Sequence, residues 1–188
     1  MIPFSTTPMT RTGKVRTVLD VACGLSLKSQ YIDAELRVGV DIYRPYLERI
    51  EAKVPYAAVN ADIRELEKLF LPKSFDLVLL LDILEHMEKE ESLRLLDAAE
   101  KIARIAVIVE TPKGYVPQNL DIWGWGGHEY QTHRSAWEPE ELESRGYMVL
   151  LREYTMSQAK RHTEIEVDPN ITLMNGIIRL DLAKGVQP

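Results

Sequence analysis

The chain has 188 residues, the length of one ordinary domain, which can bury about 70% of the surface that its unfolded form exposes. Its hydrophobic fraction of 45% and charged fraction of 28% are typical of a soluble globular protein. The formal net charge of −6 argues against a broad basic face for duplex nucleic acid, although a local basic patch remains compatible with it.

The cysteine content and the N-terminal residues both favour a cytoplasmic protein. Cys23 is the single cysteine, so it cannot form an internal disulfide, and a reducing compartment is expected. Residues 1–14 lack the apolar core of a signal peptide, and we expect them to form an irregular arm. Since no apolar run reaches the roughly 18 residues that span a bilayer, we predict no membrane partner.

The first predicted element is a buried strand at residues 18–21, followed by a turn of small residues that includes Ala22 and Gly24. Such a turn lets backbone N–H groups approach a ligand closely. Two of the three glycines of a dinucleotide-binding turn are missing, and Asp20 would repel a pyrophosphate. The acid instead favours S-adenosylmethionine, an adenosine derivative with a cationic amine and no phosphate.

The residues Val18-Leu19-Asp20-Val21-Ala22-Cys23-Gly24 resemble the V-L-D-x-G-C-G motif of class I S-adenosylmethionine-dependent methyltransferases. That family usually carries glycine at the position of Ala22 and often another at the position of Ser26. The resemblance implies that the turn, including Cys23, contacts the methionine portion of S-adenosylmethionine.

Residues 26–34 are predicted to form a short helix, and residues 36–41 a second strand that ends in Asp41. An acid about 20 residues beyond the first strand can accept both hydroxyls of an adenosine ribose. Nicotinamide cofactors share this requirement, so Asp41 indicates an adenosine ligand without identifying it. The alternative is an exposed aspartate at a strand end.

A helix at 45–53 and a strand at 56–59 lead to Asp62 and Ile63. In the resembled family, an acid at this point takes the exocyclic amine of adenine and the apolar residue covers the ring. Asp62 could equally cap the helix predicted at 64–70, and both roles can hold together.

Residues 74–82 form a nearly unbroken apolar run, typical of a central parallel strand covered on both faces. Its Phe75-Asp76-Leu77-Val78 resembles the F-D-x-V that opens the fourth strand of the methyltransferases. The helix predicted at 88–103 has a core-facing stripe, and residues 104–110 form the fifth strand. The predicted cofactor site therefore comprises Asp20, Ala22, Cys23, Gly24, Asp41, Ile42, Asp62, Ile63, Leu81 and Asp82, and the helical stripe comprises Leu93, Leu96, Ala99 and Ile102.

Two interpretations compete for Asp82, Glu85 and His86. With His133 or His128 they could bind a divalent cation that activates an acceptor hydroxyl. This set resembles the E-x-x-E-H…H of metal-dependent small-RNA 2′-O-methyltransferases and the E-x-x-E-H of ubiquinone-pathway O-methyltransferases. The alternative, which we adopt, has no metal: His86 and His133 are the candidate bases, and Glu85 helps to shape the catalytic site.

Residues 111–134 form a long segment with little periodicity, which predicts a functional loop on the substrate side. His133-Arg134-Ser135-Ala136-Trp137 resembles the H-x-S-x-W of many small bacterial and archaeal methyltransferases. We assign acceptor binding to the loop's aromatic and imidazole residues, although core packing is an equal alternative for Trp137. The predicted set is His128, Trp123, Trp125, Tyr130 and Trp137.

A helix at 138–146, a strand at 147–154, a protruding connection at 157–170 and a strand at 173–182 complete the chain. The alternation predicts a single α/β domain spanning 1–188, with a doubly wound, mostly parallel sheet and helices on both faces. The resemblance implies seven strands in the order 3-2-1-4-5-7-6, with the last strand antiparallel.

The predicted function is methyl transfer from S-adenosylmethionine to a small-molecule or sugar-like acceptor by in-line displacement. One alternative is metal-assisted 2′-O-methylation of RNA, against which the acidic balance counts. Another is a protein of the same fold that binds the cofactor or a partner without catalysis. The sequence does not predict the oligomeric state.

Overall fold

The computed structural model of the chain describes residues 15–155 and 170–179. Within them, seven strands form a sheet with the order β3-β2-β1-β4-β5-β7-β6. The strands are β1 Thr17–Val21, β2 Leu36–Asp41, β3 Tyr56–Asn60, β4 Phe75–Leu81, β5 Ala103–Pro112, β6 Met148–Thr155 and β7 Asn170–Arg179. Strands β1 to β5 are parallel, and β7 is antiparallel to both β5 and β6. The predicted strand order and the antiparallel last strand are confirmed.

The helices are α1 Arg44–Leu47, α2 Leu66–Leu69, α3 Lys89–Ile102, α4 His128–Gln131 and α5 Pro139–Glu143, with 3-10 turns at Ser29–Tyr31, Ile63–Glu65 and Leu84–His86. Most are shorter than predicted. The helix expected at 26–34 shrinks to one 3-10 turn, because the left-handed φ of 55° excludes Ser26 from a right-handed helix and the extended backbone at Ile32 ends the turn. Helix α1 stops before Lys53, whose N–H donates to the side chain of Gln30 instead.

Apolar side chains cover both faces of the sheet, as the unbroken run in β4 predicts. Neighbouring residues of this strand, Leu77 and Val78, belong to separate apolar clusters because successive side chains point to opposite faces. Helix α3 packs Leu95 and Leu96 into the larger cluster. The stripe predicted on α3 is wrong in one place, since Leu93 is exposed and Leu95 is buried in its stead.

Two predicted segments, the arm at 1–14 and the connection at 157–170, lie outside the described residues, apart from Asn170, which begins β7. Within the described ranges, no helix combines the length and apolar character needed to cross a bilayer. The carboxyl ends of β1, β2 and β4 meet at one edge of the sheet, where ligands of open α/β sheets bind.

Candidate active site

The turn after β1 has an alternating left-handed backbone. Ala22, Gly24 and Ser26 have φ angles of 53°, 49° and 55°, and two of these residues are not glycine. The turn is fastened to β2, since the Cys23 N–H donates to the Val40 carbonyl over 3.0 Å. The left-handed φ of Ala22 accounts for the glycine that the resembled family usually has there, because glycine adopts this conformation without a Cβ penalty.

Asp20 supports this turn from within the protein. Its carboxylate is buried and accepts a 3.0 Å hydrogen bond from the Ser26 hydroxyl, which in turn lies 2.6 Å from the Ser29 hydroxyl. Burial raises the pKa of Asp20 to about 6, against the hydrogen bonds from the two serines that lower it. The prediction that Asp20 attracts the cationic end of the cofactor stays a prediction.

Asp41, at the end of β2, connects the turn to the next loop. One carboxylate oxygen accepts from Gly24 N and the other from Tyr43 N, each over 2.8 Å. Burial raises the pKa of this carboxyl, although both backbone hydrogen bonds lower it. Each oxygen keeps a second lone pair, so the carboxylate can still accept ribose hydroxyls. Ile42 follows directly and is partly buried.

Asp62 has the capping role that the sequence left open. Its carboxylate accepts from Arg64 N over 2.9 Å and also pairs with the Arg64 guanidinium, which holds the pKa of Asp62 below its usual range. An adenine amine would share this carboxylate with Arg64. Ile63 is buried in the larger apolar cluster. Asn60, which sequence reasoning missed, donates from its side-chain amide to the carbonyls of Asp41 and Ile42 over 2.9 Å each.

A charge cluster that the sequence did not predict joins the ends of β4 and β5. The Lys28 ammonium forms ion pairs with Asp82 and Glu110, and Arg152 lies 3.5 Å from Glu110. The Glu110 side chain is 2% exposed, and Asp82 has a left-handed φ of 54°. An acid closing the apolar run of β5 was the available signal for Glu110. Leu81, also predicted for the cofactor, precedes Asp82 and is partly buried.

Glu85, His86 and His133 come together at the next position along this edge. One potential ligand atom from each lies within 4.8 Å of the others, and the two imidazole rings have centroids 4.6 Å apart. The backbone brings them together, because Arg134 N donates to the Glu85 carbonyl over 2.7 Å. Asp82 does not belong to this group, since its carboxylate pairs with Lys28.

Burial sets the charge of this cluster. It raises the pKa of Glu85 to about 8, with the nearby Asp82 acting in the same direction. Burial and the neighbouring His133 lower the pKa of His86 to about 3, and burial also lowers that of His133. The His133 Nδ1 lies 2.6 Å from the Val116 carbonyl, so Nδ1–H donates and Nε2 keeps its lone pair. Burial therefore favours the uncharged form of each of the three side chains.

The segment 121–127, here called the WGWGG segment after its sequence from Trp123, is organised by Asp121. Its buried carboxylate accepts from Trp123 N over 2.8 Å, from Trp125 N over 2.7 Å and from Gly127 N over 3.0 Å. His128 was predicted to bind the acceptor, but its Nδ1 accepts from Asp121 N over 3.0 Å. This imidazole stabilises its own segment.

Three of the aromatic residues predicted to bind the acceptor lie over the turn after β1 and over α1. Trp123 meets Tyr46 edge-on with ring centroids 4.7 Å apart, and Arg49 lies 4.7 Å from the ring centre of Trp125. Tyr130 lies 5.6 Å from the ring of Tyr43.

Trp137 requires a correction. It is fully buried in the larger apolar cluster and donates its indole N–H to Ser135 Oγ over 3.2 Å. The alternative of core packing is therefore the one realised, because an enclosed indole offers no face to an acceptor.

Comparison with known proteins agrees with this geometry. Residues 18–105 match the family model described as a methyltransferase domain, and no curated protein sequence matches the chain. An S-adenosylmethionine-dependent methyltransferase from Archaeoglobus fulgidus is 19% identical, with 87% of this chain and 86% of that chain covered and a TM-score of 0.56. The N-methyltransferase NodS from Bradyrhizobium japonicum, in complex with S-adenosyl-L-homocysteine, is 13% identical over 89% of this chain and 79% of that chain, with a TM-score of 0.57.

The methyltransferase domain of bacterial CtHen1 is also similar, at 16% identity over 92% of this chain and 94% of that chain, with a TM-score of 0.56. At these identities the structural likeness shows the fold. The family match over residues 18–105 and the sheet order support a class I S-adenosylmethionine-dependent methyltransferase fold, with S-adenosylmethionine as the cofactor.

Proposed function

We propose that the protein transfers the methyl group of S-adenosylmethionine to a hydroxyl of a small-molecule or sugar-like acceptor. The observation that carries the proposal is the 2.8 Å hydrogen bond from Gly24 N to Asp41, which fixes the small-residue turn against the candidate ribose acid. Both lie at the edge of the sheet that also presents Glu85, His86 and His133.

The residues fit the cofactor. The Ala22–Gly24 turn would hold the methionine portion, Asp41 the ribose, and Ile42 and Ile63 the adenine, as the resemblance implies. The bound cofactor supplies a methyl group already activated on a sulfonium. What remains for the chain is to align the acceptor and exclude water, and orientation of this kind can contribute roughly 7–11 kcal/mol.

His133 is the better candidate for taking the acceptor proton. Its Nδ1–H is engaged by the Val116 carbonyl, so the Nε2 lone pair could receive the acceptor proton while the methyl group passes from sulfur to the acceptor oxygen and S-adenosylhomocysteine leaves. His86, with a pKa near 3, is a much weaker base, and we assign it to shaping the site. Burial favours the protonated form of Glu85, so it too fits a positioning role.

The first prediction tests cofactor binding. Asp41→Ala should weaken the binding of S-adenosylhomocysteine by about 100-fold, since charged hydrogen bonds contribute roughly 1.5–3 kcal/mol. Isothermal titration calorimetry would measure the loss, with the exposed Asp33→Ala as the matched control. An affinity unchanged in Asp41→Ala would contradict the assignment of the ribose site.

Catalysis is tested separately by isotope transfer from labelled S-adenosylmethionine into a cell extract, with and without EDTA. Transfer that survives EDTA supports the proposal. Cofactor binding without transfer in any extract would instead favour the non-catalytic alternative.

A second candidate is metal-assisted methylation, with RNA as the acceptor. The proximity of ligand atoms from Glu85, His86 and His133, within 4.8 Å, favours it, and the donor types suit a divalent transition metal. Here the cation would acidify the acceptor hydroxyl. Transfer abolished by EDTA and restored by Mn²⁺, together with RNA binding that weakens between two salt concentrations, would favour this candidate.

We further propose that residues 1–188 act as a single domain in the cytoplasm. The continuous sheet supports the first statement, and the presence of a single, buried cysteine, Cys23, supports the second.

A further inference from the structure

We propose that Trp123 covers the cofactor turn in the free protein and moves aside when the cofactor binds, a step that rests on the proposed position of the cofactor on the Gly24 turn. Sequence reasoning gave Trp123 to the acceptor. Its contacts place it on the cofactor side instead, as the cover of the turn.

The contact itself is close. A Cβ built on Gly24 would lie 2.4 Å from Cη2 and 2.7 Å from Cζ3 of Trp123, so the outer edge of the indole rests on the glycine backbone. Gly24 is consequently buried, although it bears no side chain and lies in a turn at the edge of the sheet. A methionine chain that needs the same backbone surface and the indole cannot both occupy it.

The cover is seated on α1 as well as on the turn. Trp123 packs edge-on against Tyr46, and the Tyr43 hydroxyl donates to the Trp125 carbonyl over 2.6 Å. The backbone hydrogen bonds that Asp121 accepts are internal to the WGWGG segment and hold its shape, whereas the side chain of Tyr46 on α1 is a neighbour of Asp121 outside the segment. The movement that we propose is therefore a rotation of the Trp123 side chain within the segment.

The residue after Trp123 gives the indole freedom to move. Gly124 has a left-handed φ of 73°, and a Cβ built there meets no atom within 4 Å. A glycine in open space can change its backbone angles without steric cost. Trp123 itself is only partly buried, so only part of its apolar surface has to return to water when the indole leaves the turn.

The test is the rate at which S-adenosylhomocysteine associates with the full chain, measured by surface plasmon resonance. In the wild-type protein, Trp123 must open first. Trp123→Ala should raise the apparent association rate by about tenfold, the factor that an open state populated at one part in ten would impose. The association rate of Trp123→Phe should lie between those of the wild type and Trp123→Ala. That of Tyr31→Ala, which removes an exposed aromatic ring elsewhere, should equal the wild-type rate.

An association rate that is unchanged or reduced in Trp123→Ala would overturn the proposal, since the indole would then be irrelevant or a direct ligand contact. If neither protein binds S-adenosylhomocysteine, the cofactor position fails and this step fails with it. If only Trp123→Ala binds, the cover is established in its strongest form.

A second measurement keeps the contact itself testable without any ligand. Gly24→Ala should lower the melting temperature, because its Cβ meets the indole, and should lower it less when Trp123 is already alanine. Losses that simply add in the double variant would show that the two residues do not touch in solution, and this too would overturn the proposal.

Discussion

Asp20 and Asp41 both stabilise the turn after β1, but they do so from different positions. Asp20 accepts a hydrogen bond from the Ser26 hydroxyl within the protein. Asp41 accepts hydrogen bonds from the backbone N–H groups of Gly24 and Tyr43. The sequence predicted both acids and their neighbourhood. It did not predict that Asp20 spends hydrogen-bonding capacity on Ser26, because that contact depends on the left-handed φ of the serine.

Asp20 should make stability depend on pH. In the folded protein the pKa of Asp20 is about 6, whereas the ordinary pKa of an aspartate is 3.8. The folded state therefore binds more protons than the unfolded state between these two pH values. The free energy of unfolding therefore falls as the pH rises through this window, by roughly 3 kcal/mol for the whole shift. Urea unfolding of the wild type and Asp20→Asn at several pH values would show the wild type losing stability relative to the variant.

Asp33→Asn, at an exposed aspartate, is the control for this experiment and should track the wild type. Parallel curves for the wild type and Asp20→Asn between pH 4 and pH 7 would contradict the assignment of the buried proton to Asp20.

At the scale of elements, strands were more predictable than helices and loops. Strand β2 has the predicted bounds of 36–41, because the β-branched Val38 and Val40 favour a strand and the strand ends at the acid Asp41. The cap at Asp62 and the core position of Trp137 were both left open, since each depends on a partner elsewhere in the fold. The ion pairs of Lys28 could not be predicted from the sequence, because its partners Asp82 and Glu110 are distant along the chain.

The WGWGG segment should loosen locally when Asp121 is removed. Asp121→Ala deletes the acceptor of three backbone N–H groups, at about 1 kcal/mol for each net hydrogen bond. Because these bonds are internal to the segment, amide hydrogen exchange in a peptide covering 121–127 should accelerate by at least about tenfold. Exchange in β4 should stay at the wild-type rate, and equal acceleration in both places would mean that Asp121 supports the whole fold.

At the scale of the whole molecule, the two ends of the parallel strands have separate roles. Asp76 stabilises the ends of the strands that lie opposite the site. Its buried carboxylate accepts hydrogen bonds from Arg16 N over 2.7 Å and from Thr17 N over 3.2 Å, and it forms an ion pair with Arg104. This aspartate belongs to the F-D-x-V resemblance. Its contacts join the beginnings of β1, β4 and β5, which gives that motif a structural purpose.

Asp76→Ala should therefore lower the free energy of unfolding by roughly 2–4 kcal/mol, because the N–H groups of Arg16 and Thr17 lose a charged acceptor, whereas the exposed Arg104 guanidinium returns to water. The affinity for S-adenosylhomocysteine of the fraction that remains folded should stay within about twofold of the wild type, because ligands of such sheets bind at the other edge. Chemical denaturation and calorimetry on the same preparation would measure both quantities. A variant of unchanged stability, or one with a large loss of affinity, would contradict this division.

The ion pairs of Lys28 have a consequence for the choice of methyl acceptor. Lys28 and Arg152 already balance the carboxylates of Asp82 and Glu110, so this charge cluster contains its own counterions. A cationic amine could form ion pairs with those carboxylates only by displacing Lys28, which would leave the Lys28 ammonium without its partners. We therefore expect an electrically neutral acceptor to bind without such an exchange, in line with the hydroxyl acceptor proposed above.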